Sequence, residues 1–537
     1  MSNALRKILA ILLAVGLTFS TLLTFTSCGE ETSNGESASQ SSQAVYSLTA
    51  DQTAYTIKEG SSKQLGISLY IDGVLSNTLD GVSFVSLKPE IATVDQNGVV
   101  TGVSRGTTTV RATIGNAVKS FSVTVSEIAK DLVLSASSFY MSAGQTTTVS
   151  AQAYLGGNID KNAVISFQIE DTSVATIDEN GVITAVKNGS TNLIATYKTV
   201  TVNATIVVYA EVPSASVNSF DEEFVNTYGR AYIADGKLNL DHVSSAVEVA
   251  IIGTSLTVNL KTNTTLYIRV FVDDKIEGER IKLTSGSKAY QVASNLKEGY
   301  HKIRIVKCSE LYDGQITVES FTAEKFATIP QKGKIRIEFI GDSITAGYAV
   351  LGAPGATRTV ANSDGSKSFA YQTAQLLNAD YSTIAVQGIC AVAYHWQTSI
   401  NMYDLYQTVS AKEYNSAKYD FSFNPDIVVL ALGTNESSYL STASAYASQF
   451  PNDYKSMLEL IREKNPNAHI LCIYGMMGNV STISSGIQTA VASLGDSKIS
   501  YAFLSANTLG GAGHPSQDAN TAWANELAKK IQKILEK

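Results

Sequence analysis

Cysteine, histidine and clustered positive charge are scarce in these 537 residues. Beyond Cys28 the cysteines are only Cys308, Cys390 and Cys472, too scattered for a disulfide framework, so buried free thiols are expected. The five histidines stand singly, with no metal-ligand spacing, and no glycine-rich phosphate loop occurs, so no metal site is expected. Net charge is −8 with a pI near 5.3, and no basic run occurs beyond the extreme N-terminus, which argues against a nucleic-acid partner. Charged residues make up only 16% against 44% apolar, so most of the chain can form cores, and its length fits roughly three to five domains. The 26 tyrosines suit β-rich domains and also surfaces that touch sugars.

A long, largely apolar run occurs at Ile8 to Leu23, behind Arg6 and Lys7, and residues 1–28 read as an export signal. Its end, Phe25-Thr26-Ser27-Cys28, resembles the lipobox of bacterial lipoproteins, with Phe25 where leucine is usual. The resemblance implies an exported, membrane-anchored lipoprotein with its lipid on Cys28. Residues 29–45 are polar and Ser-rich, as a flexible tether would be.

Residues 46–127 and 130–210 repeat each other. Ile91-Ala92-Thr93-Val94-Asp95-Gln96-Asn97-Gly98-Val99-Val100-Thr101 aligns with Val174-Ala175-Thr176-Ile177-Asp178-Glu179-Asn180-Gly181-Val182-Ile183-Thr184, and Gly106 aligns with Gly189 at the same offset. Short alternating strands with Asn-Gly hairpin signals predict two β-sandwiches. The shared pattern resembles the bacterial Ig-like domains of group 2. Neither copy contains a histidine, a cysteine or clustered carboxylates, so spacing or adhesion is expected of them.

Residues 213–326 carry strand-like runs at Val247–Ile252, Ser255–Leu260, Thr265–Val272 and His301–Val306, predicting a further β-sandwich of jelly-roll type. His242 and His301 stand alone there and are expected to be packed or on the surface. Pro330 and Gly333 punctuate the chain before the next domain.

From 334 to 537 strands alternate with helices, which predicts a parallel sheet covered on both faces. Polar residues recur where the strands end: Gly341-Asp342-Ser343, Gln387-Gly388-Ile389, Gly433-Thr434-Asn435-Glu436, and finally Gly510-Gly511-Ala512-Gly513-His514. In a parallel sheet such loops share one edge. A serine nucleophile, a histidine base, backbone amides and an asparagine amide are the parts acyl transfer needs, and no cofactor is required. Trp396 and Tyr348 could stack on a sugar ring, and His395 could line the cleft. His469, at a strand entrance, is expected to be structural, and Trp523 falls on an apolar stripe with Leu527, Ile531 and Ile534.

The four blocks resemble those of the SGNH (GDSL-like) hydrolases. That resemblance implies Ser343 and His514 as catalytic residues, with Ser343, Gly388 and Asn435 forming the oxyanion hole. G-D-S-I is not the G-x-S-x-G elbow, which disfavours the α/β-hydrolase fold. Together with the preceding sandwich and the segments Phe421-Ser422-Phe423-Asn424-Pro425-Asp426 and Tyr474-Gly475-Met476-Met477-Gly478, the domain is similar to carbohydrate esterase family 2. The family implies removal of acetyl groups from xylan- or mannan-type polysaccharides. Many SGNH enzymes carry an aspartate three residues before the histidine, where this chain has Gly511. The resemblance therefore implies a Ser–His dyad with a backbone carbonyl on the other ring nitrogen. Two other readings stay open: a glycan-binding adhesin with an inactive hydrolase-like domain, and an esterase or lipase for other acyl esters.

Overall fold

The offset of the repeat reappears as strand pairing in the computed structural model, which describes residues 44–536 apart from 213–215, 218–219, 221–222, 394–399, 411–417 and 441–443. The export signal, Cys28 and nearly all of the tether lie outside the described residues, as do His395 and Trp396. The structure divides into two compact units, residues 1–128 and 129–537. In the first, strand Ala117–Ser126 pairs in parallel with Ala54–Lys58 and antiparallel with Gly106–Ile114. In the second, Val200–Tyr209 pairs in the same two ways with Ser138–Ser142 and Gly189–Tyr197. The hairpin chemistry repeats too. Asp95 Oδ1 accepts from the amides of Asn97 at 2.9 Å and Val99 at 2.8 Å, and Asp178 Oδ1 accepts from Asn180 and Val182 at the same distances. Val110 and Phe121 fill one core, Leu193 and Ile206 the other.

The second repeat runs into the next sheet without a break. Glu211 and Val212 pair with Ala327 and Phe326, and Tyr300 stacks between Tyr140 at 4.8 Å and Tyr209 at 4.9 Å. The sandwich that follows is built on Ala246–Thr262, a strand of 17 residues. Its first half pairs with Tyr300–Lys307, its second with Gly286–Ala293, and its other edge with Ile316–Ala327. Register shifts near Leu256 mark β-bulges, which bend the strand between its two sets of partners.

The C-terminal domain has five parallel strands: β1 (Arg336–Gly341), β2 (Asp380–Ala385), β3 (Ile427–Ala431), β4 (His469–Tyr474) and β5 (Ile499–Phe503). Their spatial order is β2-β1-β3-β4-β5. β2 and β3 are buried throughout, as strands covered by helices on both faces must be. The covering helices are α1 (Phe369–Leu376), α2 (Thr434–Leu440), α3 (Phe450–Lys464), α4 (Ser481–Leu494) and α5 (Gln517–Leu535). Ser368 caps α1 and Ser516 caps α5, each accepting a backbone amide of the first turn. Trp523, Leu527 and Ile531 are buried in the same core cluster as Phe339 and Ile473, as the stripe predicted. Cys308, Cys390 and Cys472 are buried free thiols.

The junction at Pro330 and Gly333 is no loose linker. Asn226 donates to the Pro330 carbonyl at 3.0 Å, and Lys332 bridges the Thr227 carbonyl at 3.0 Å and Asp380 at 2.7 Å. Sandwich and hydrolase domain meet over buried charge. Arg230 reaches Glu338 of β1 at 3.5 Å and donates to the carbonyls of Tyr406 and Thr408, while Arg269 pairs with Asp364 at 2.6 Å. Tyr228 stacks on Tyr381 at 5.2 Å. His242 is fully buried in this interface, and burial pushes its pKa down to about 3, with Arg230 and Lys307 adding to the effect. His301 sits at the edge of the sandwich against Asp273 at 2.8 Å.

Candidate active site

Strand order decides which loops can meet. β1 lies between β2 and β3, with Gly341 level with Ala385 on one side and Ala431 on the other. Ser343, Gly388 and Asn435 follow those three positions by two, three and four residues, so their loops emerge side by side at the carboxyl edge. After Gly341 the chain turns tightly: Ala346 donates to the Asp342 carbonyl at 3.0 Å and Tyr348 to the Ser343 carbonyl at 3.1 Å. This turn leaves Ser343 6% exposed.

His514 Nε2 lies 2.8 Å from Ser343 Oγ, and its Nδ1 lies 3.1 Å from the Ala512 carbonyl. That carbonyl fixes the tautomer: Nδ1 carries the hydrogen, which leaves Nε2 free to accept from the serine. Ala512 is held in a left-handed conformation, φ 52°, inside the tight turn Gly511–Gly513. Its amide donates to the Ala356 carbonyl at 2.7 Å and that of Gly511 to the Ala349 carbonyl at 3.2 Å. The base's loop is thus stitched to the loop that follows the nucleophile. A side chain at 511 has no room, because a Cβ there would lie 2.9 Å from the Ala349 oxygen and 3.1 Å from Gly352 Cα. An aspartate three residues before His514 is therefore excluded sterically. Asp496 is engaged elsewhere, on Arg462 at 2.7 Å, and Asp518 lies in the first turn of α5.

Asn435 donates through Nδ2 to the Ile389 carbonyl at 2.9 Å, which brings its amide beside Gly388 and leaves its second N–H available. Gly388 adopts φ 73°, a left-handed turn that ordinary residues resist. Tyr348 lies against the base, its ring 4.4 Å from that of His514, with the Arg358 guanidinium 5.3 Å from its centre.

Burial lowers the His514 pKa below the ordinary imidazole value, opposed by the hydrogen bond to Ala512. Next to the nucleophile and the asparagine lie two buried acids that the sequence reading left without a role. Burial pushes Asp342 up to about 7, against its hydrogen bond from the Ile344 amide, and Glu436 up to about 7, against hydrogen bonds that include the Ala391 amide. Each keeps one buried oxygen without a partner. Glu310, from the sandwich, is likewise raised to about 7 by burial, against its hydrogen bond from the Gln387 amide and its attraction to Arg358. No sequence signal marks Glu310 or Arg358, because their partners are far off in the chain. A concavity of about 850 Å³ lined by Arg336, Asp426, Asn465 and His469 opens at the opposite edge of the sheet, remote from Ser343. His469 bonds Ser500 there at 2.7 Å.

A serine and histidine in contact at the carboxyl edge of a 2-1-3-4-5 parallel sheet define a GDSL-like hydrolase domain. Residues 339–537 match the GDSL-like Lipase/Acylhydrolase family, residues 227–331 the Carbohydrate esterase 2 N-terminal domain, and residues 80–127 the Bacterial Ig-like domain. The chain is 30% identical over 238 residues to the Cellulase/esterase CelE of Acetivibrio thermocellus, covering 43% of this chain and 28% of that protein. It is 23% identical over 323 residues to an Acetylxylan esterase / glucomannan deacetylase of Cellvibrio japonicus, covering 58% of this chain and 89% of that one. A family two carbohydrate esterase from Clostridium thermocellum, solved in complex with cellohexaose, superposes with a TM-score of 0.55 at 27% identity, over 58% of this chain and 99% of the other.

Proposed function

We propose that this protein is a carbohydrate esterase that removes acetyl groups from plant polysaccharides or oligosaccharides of xylan or mannan type. The observation that carries the reading is the Ser343 Oγ to His514 Nε2 contact of 2.8 Å, backed by the Ala512 carbonyl. Likeness to an acetylxylan esterase / glucomannan deacetylase and to a cellohexaose-bound family two esterase supports the substrate class.

In this reading Nε2 takes the hydroxyl proton as Ser343 Oγ attacks the acetyl carbonyl. The amides of Ser343 and Gly388 and the free N–H of Asn435 receive the oxyanion, each donor being worth about 10²–10³ in rate. Imidazolium returns the proton to the departing sugar hydroxyl, leaving acetyl-Ser343. Water, deprotonated by the same nitrogen, then releases acetate. Tyr348, half-buried beside His514, and Trp396 would touch the sugar.

The test is acetate release from acetylated xylan and glucomannan, compared with hydrolysis of longer acyl esters, for wild type, Ser343→Ala and His514→Ala. Acetate released by wild type and lost in both variants is expected. No release from any glycan, or a Ser343→Ala variant matching wild type, sinks the proposal and leaves the adhesin reading. A preference for long acyl chains would favour a lipase. We further place the protein at the cell surface, lipidated on Cys28. Cys28→Ser should then move it from the membrane fraction to the medium, and an unchanged distribution counts against the anchor.

A further inference from the structure

Glu310 belongs to the sandwich, in the segment Cys308-Ser309-Glu310-Leu311-Tyr312-Asp313 that follows the strand Tyr300–Lys307. Its carboxylate is 3% exposed and crosses into the hydrolase domain. Oε2 accepts the Gln387 amide at 2.8 Å, one residue before Gly388. Oε1 lies 3.4 Å from Arg358, which also pairs with Asp313, donates to Ser363 Oγ at 3.2 Å and covers Tyr348. Lys307, itself fully buried, holds the carbonyls of Ser309 at 2.6 Å and Glu310 at 3.0 Å, so the turn carrying Glu310 is fixed from within the sandwich. The consequence lies in the Gln387–Gly388 turn. Gly388 has the backbone freedom of a glycine in a left-handed turn, yet an oxyanion donor must be aimed before the reaction begins. A charge-assisted hydrogen bond one residue upstream supplies that constraint.

We propose that Glu310 is a positioning residue of the ester hydrolase: from the sandwich domain, its carboxylate aims the Gly388 amide at the oxyanion through the Gln387 N–H. The N-terminal sandwich thereby becomes part of the active site. The inference rests on the esterase reading above and extends it.

Full-length wild type, Glu310→Ala, Glu310→Gln, Glu310→Asp and Ser343→Ala are compared on 4-nitrophenyl acetate, with thermal unfolding as a folding check. Glu310→Ala should lower kcat by about 10–100-fold with KM within about threefold, the pattern of a contact felt in the transition state. Glu310→Gln keeps an oxygen for the Gln387 amide and should recover kcat to within about fivefold of wild type. A folded Glu310→Ala variant with kcat within twofold of wild type overturns the proposal. So does Glu310→Gln as impaired as Glu310→Ala, or a loss that falls on KM alone. If Glu310→Ala does not fold, Glu310→Asp decides: its carboxylate is withdrawn by one methylene, and an unchanged kcat overturns the proposal. Full activity in Ser343→Ala would instead refute the esterase reading, separately from Glu310.

Discussion

At position 511, where a triad would place its carboxylate, the Ala349 carbonyl and Gly352 press so closely that not even a methyl group fits. The Ala512 carbonyl takes over the tautomer-fixing task at 3.1 Å. Gly511→Asp should therefore lower both the unfolding temperature and kcat, and a variant more active than wild type would contradict this account. Because burial holds the His514 pKa below the ordinary 6.5, its neutral, proton-accepting form persists into mildly acidic solution. The acid limb of kcat/KM should accordingly fall below pH 6.5, and a midpoint at 7 or above would refute it. Glu436 makes a different pH prediction. Its folded pKa of about 7 lies above the usual carboxylate value, so the folded state binds the extra proton and loses stability as pH rises toward 7. Glu436→Gln keeps an oxygen for the Ala391 amide and carries no charge. It should raise the unfolding temperature at pH 8 and give no gain at pH 4, whereas an equal shift at both would mean the charge is not the cause. Ser343, Gly388, Asn435 and His514 were legible because each belongs to a local block at a strand end. Glu310 and Arg358 were not, because nothing local distinguishes a glutamate that crosses a domain boundary from one on the surface.

At the scale of elements, periodic and capped segments were readable from sequence and weakly helical ones were not. β5 was expected at Ile499–Phe503 and is found there, and α5 follows its apolar stripe. α4 escaped notice because Ser481-Thr482-Ile483-Ser484-Ser485-Gly486 is a poor helix former. Packing overrides that preference, with Ile483, Ile487 and Ala490 buried in the core cluster that holds Phe450. The charged residues of β1 also misdirect a reader, since Glu338 is 1% exposed and accepts from Tyr406 at 2.7 Å. In α5, Trp523 fills the core beneath β1, and Trp523→Ala should cost about 3–5 kcal/mol, read from the midpoint of denaturant unfolding. A loss below 1 kcal/mol would mean the core closes over the gap.

At the scale of the molecule, the repeat predicted two like modules and the strand pairing makes them alike, but the sequence could not show how differently they end. The second is continuous with the sandwich through Glu211–Val212 and through the Tyr140, Tyr300 and Tyr209 stack. Removing residues 129–210 strips both contacts from Tyr300, along with the cover that Val207 gives to Ala250 and Ile329. Such a protein should unfold at lower temperature than one beginning at Ala129, and identical unfolding temperatures would show that the stack contributes nothing.

The buried charges between sandwich and hydrolase reach beyond this one molecule. Glu338 and Asp364 lie on the hydrolase side, while Arg230 and Arg269, the cations that neutralise them, lie on the other. A recombination event cutting the gene between 327 and 336 would hand a new host two carboxylates with no counter-charge and no access to water, a loss of several kcal/mol. The two domains are therefore inheritable only as a pair, and lineages that reshuffle their modules should break ahead of the sandwich and leave that seam intact.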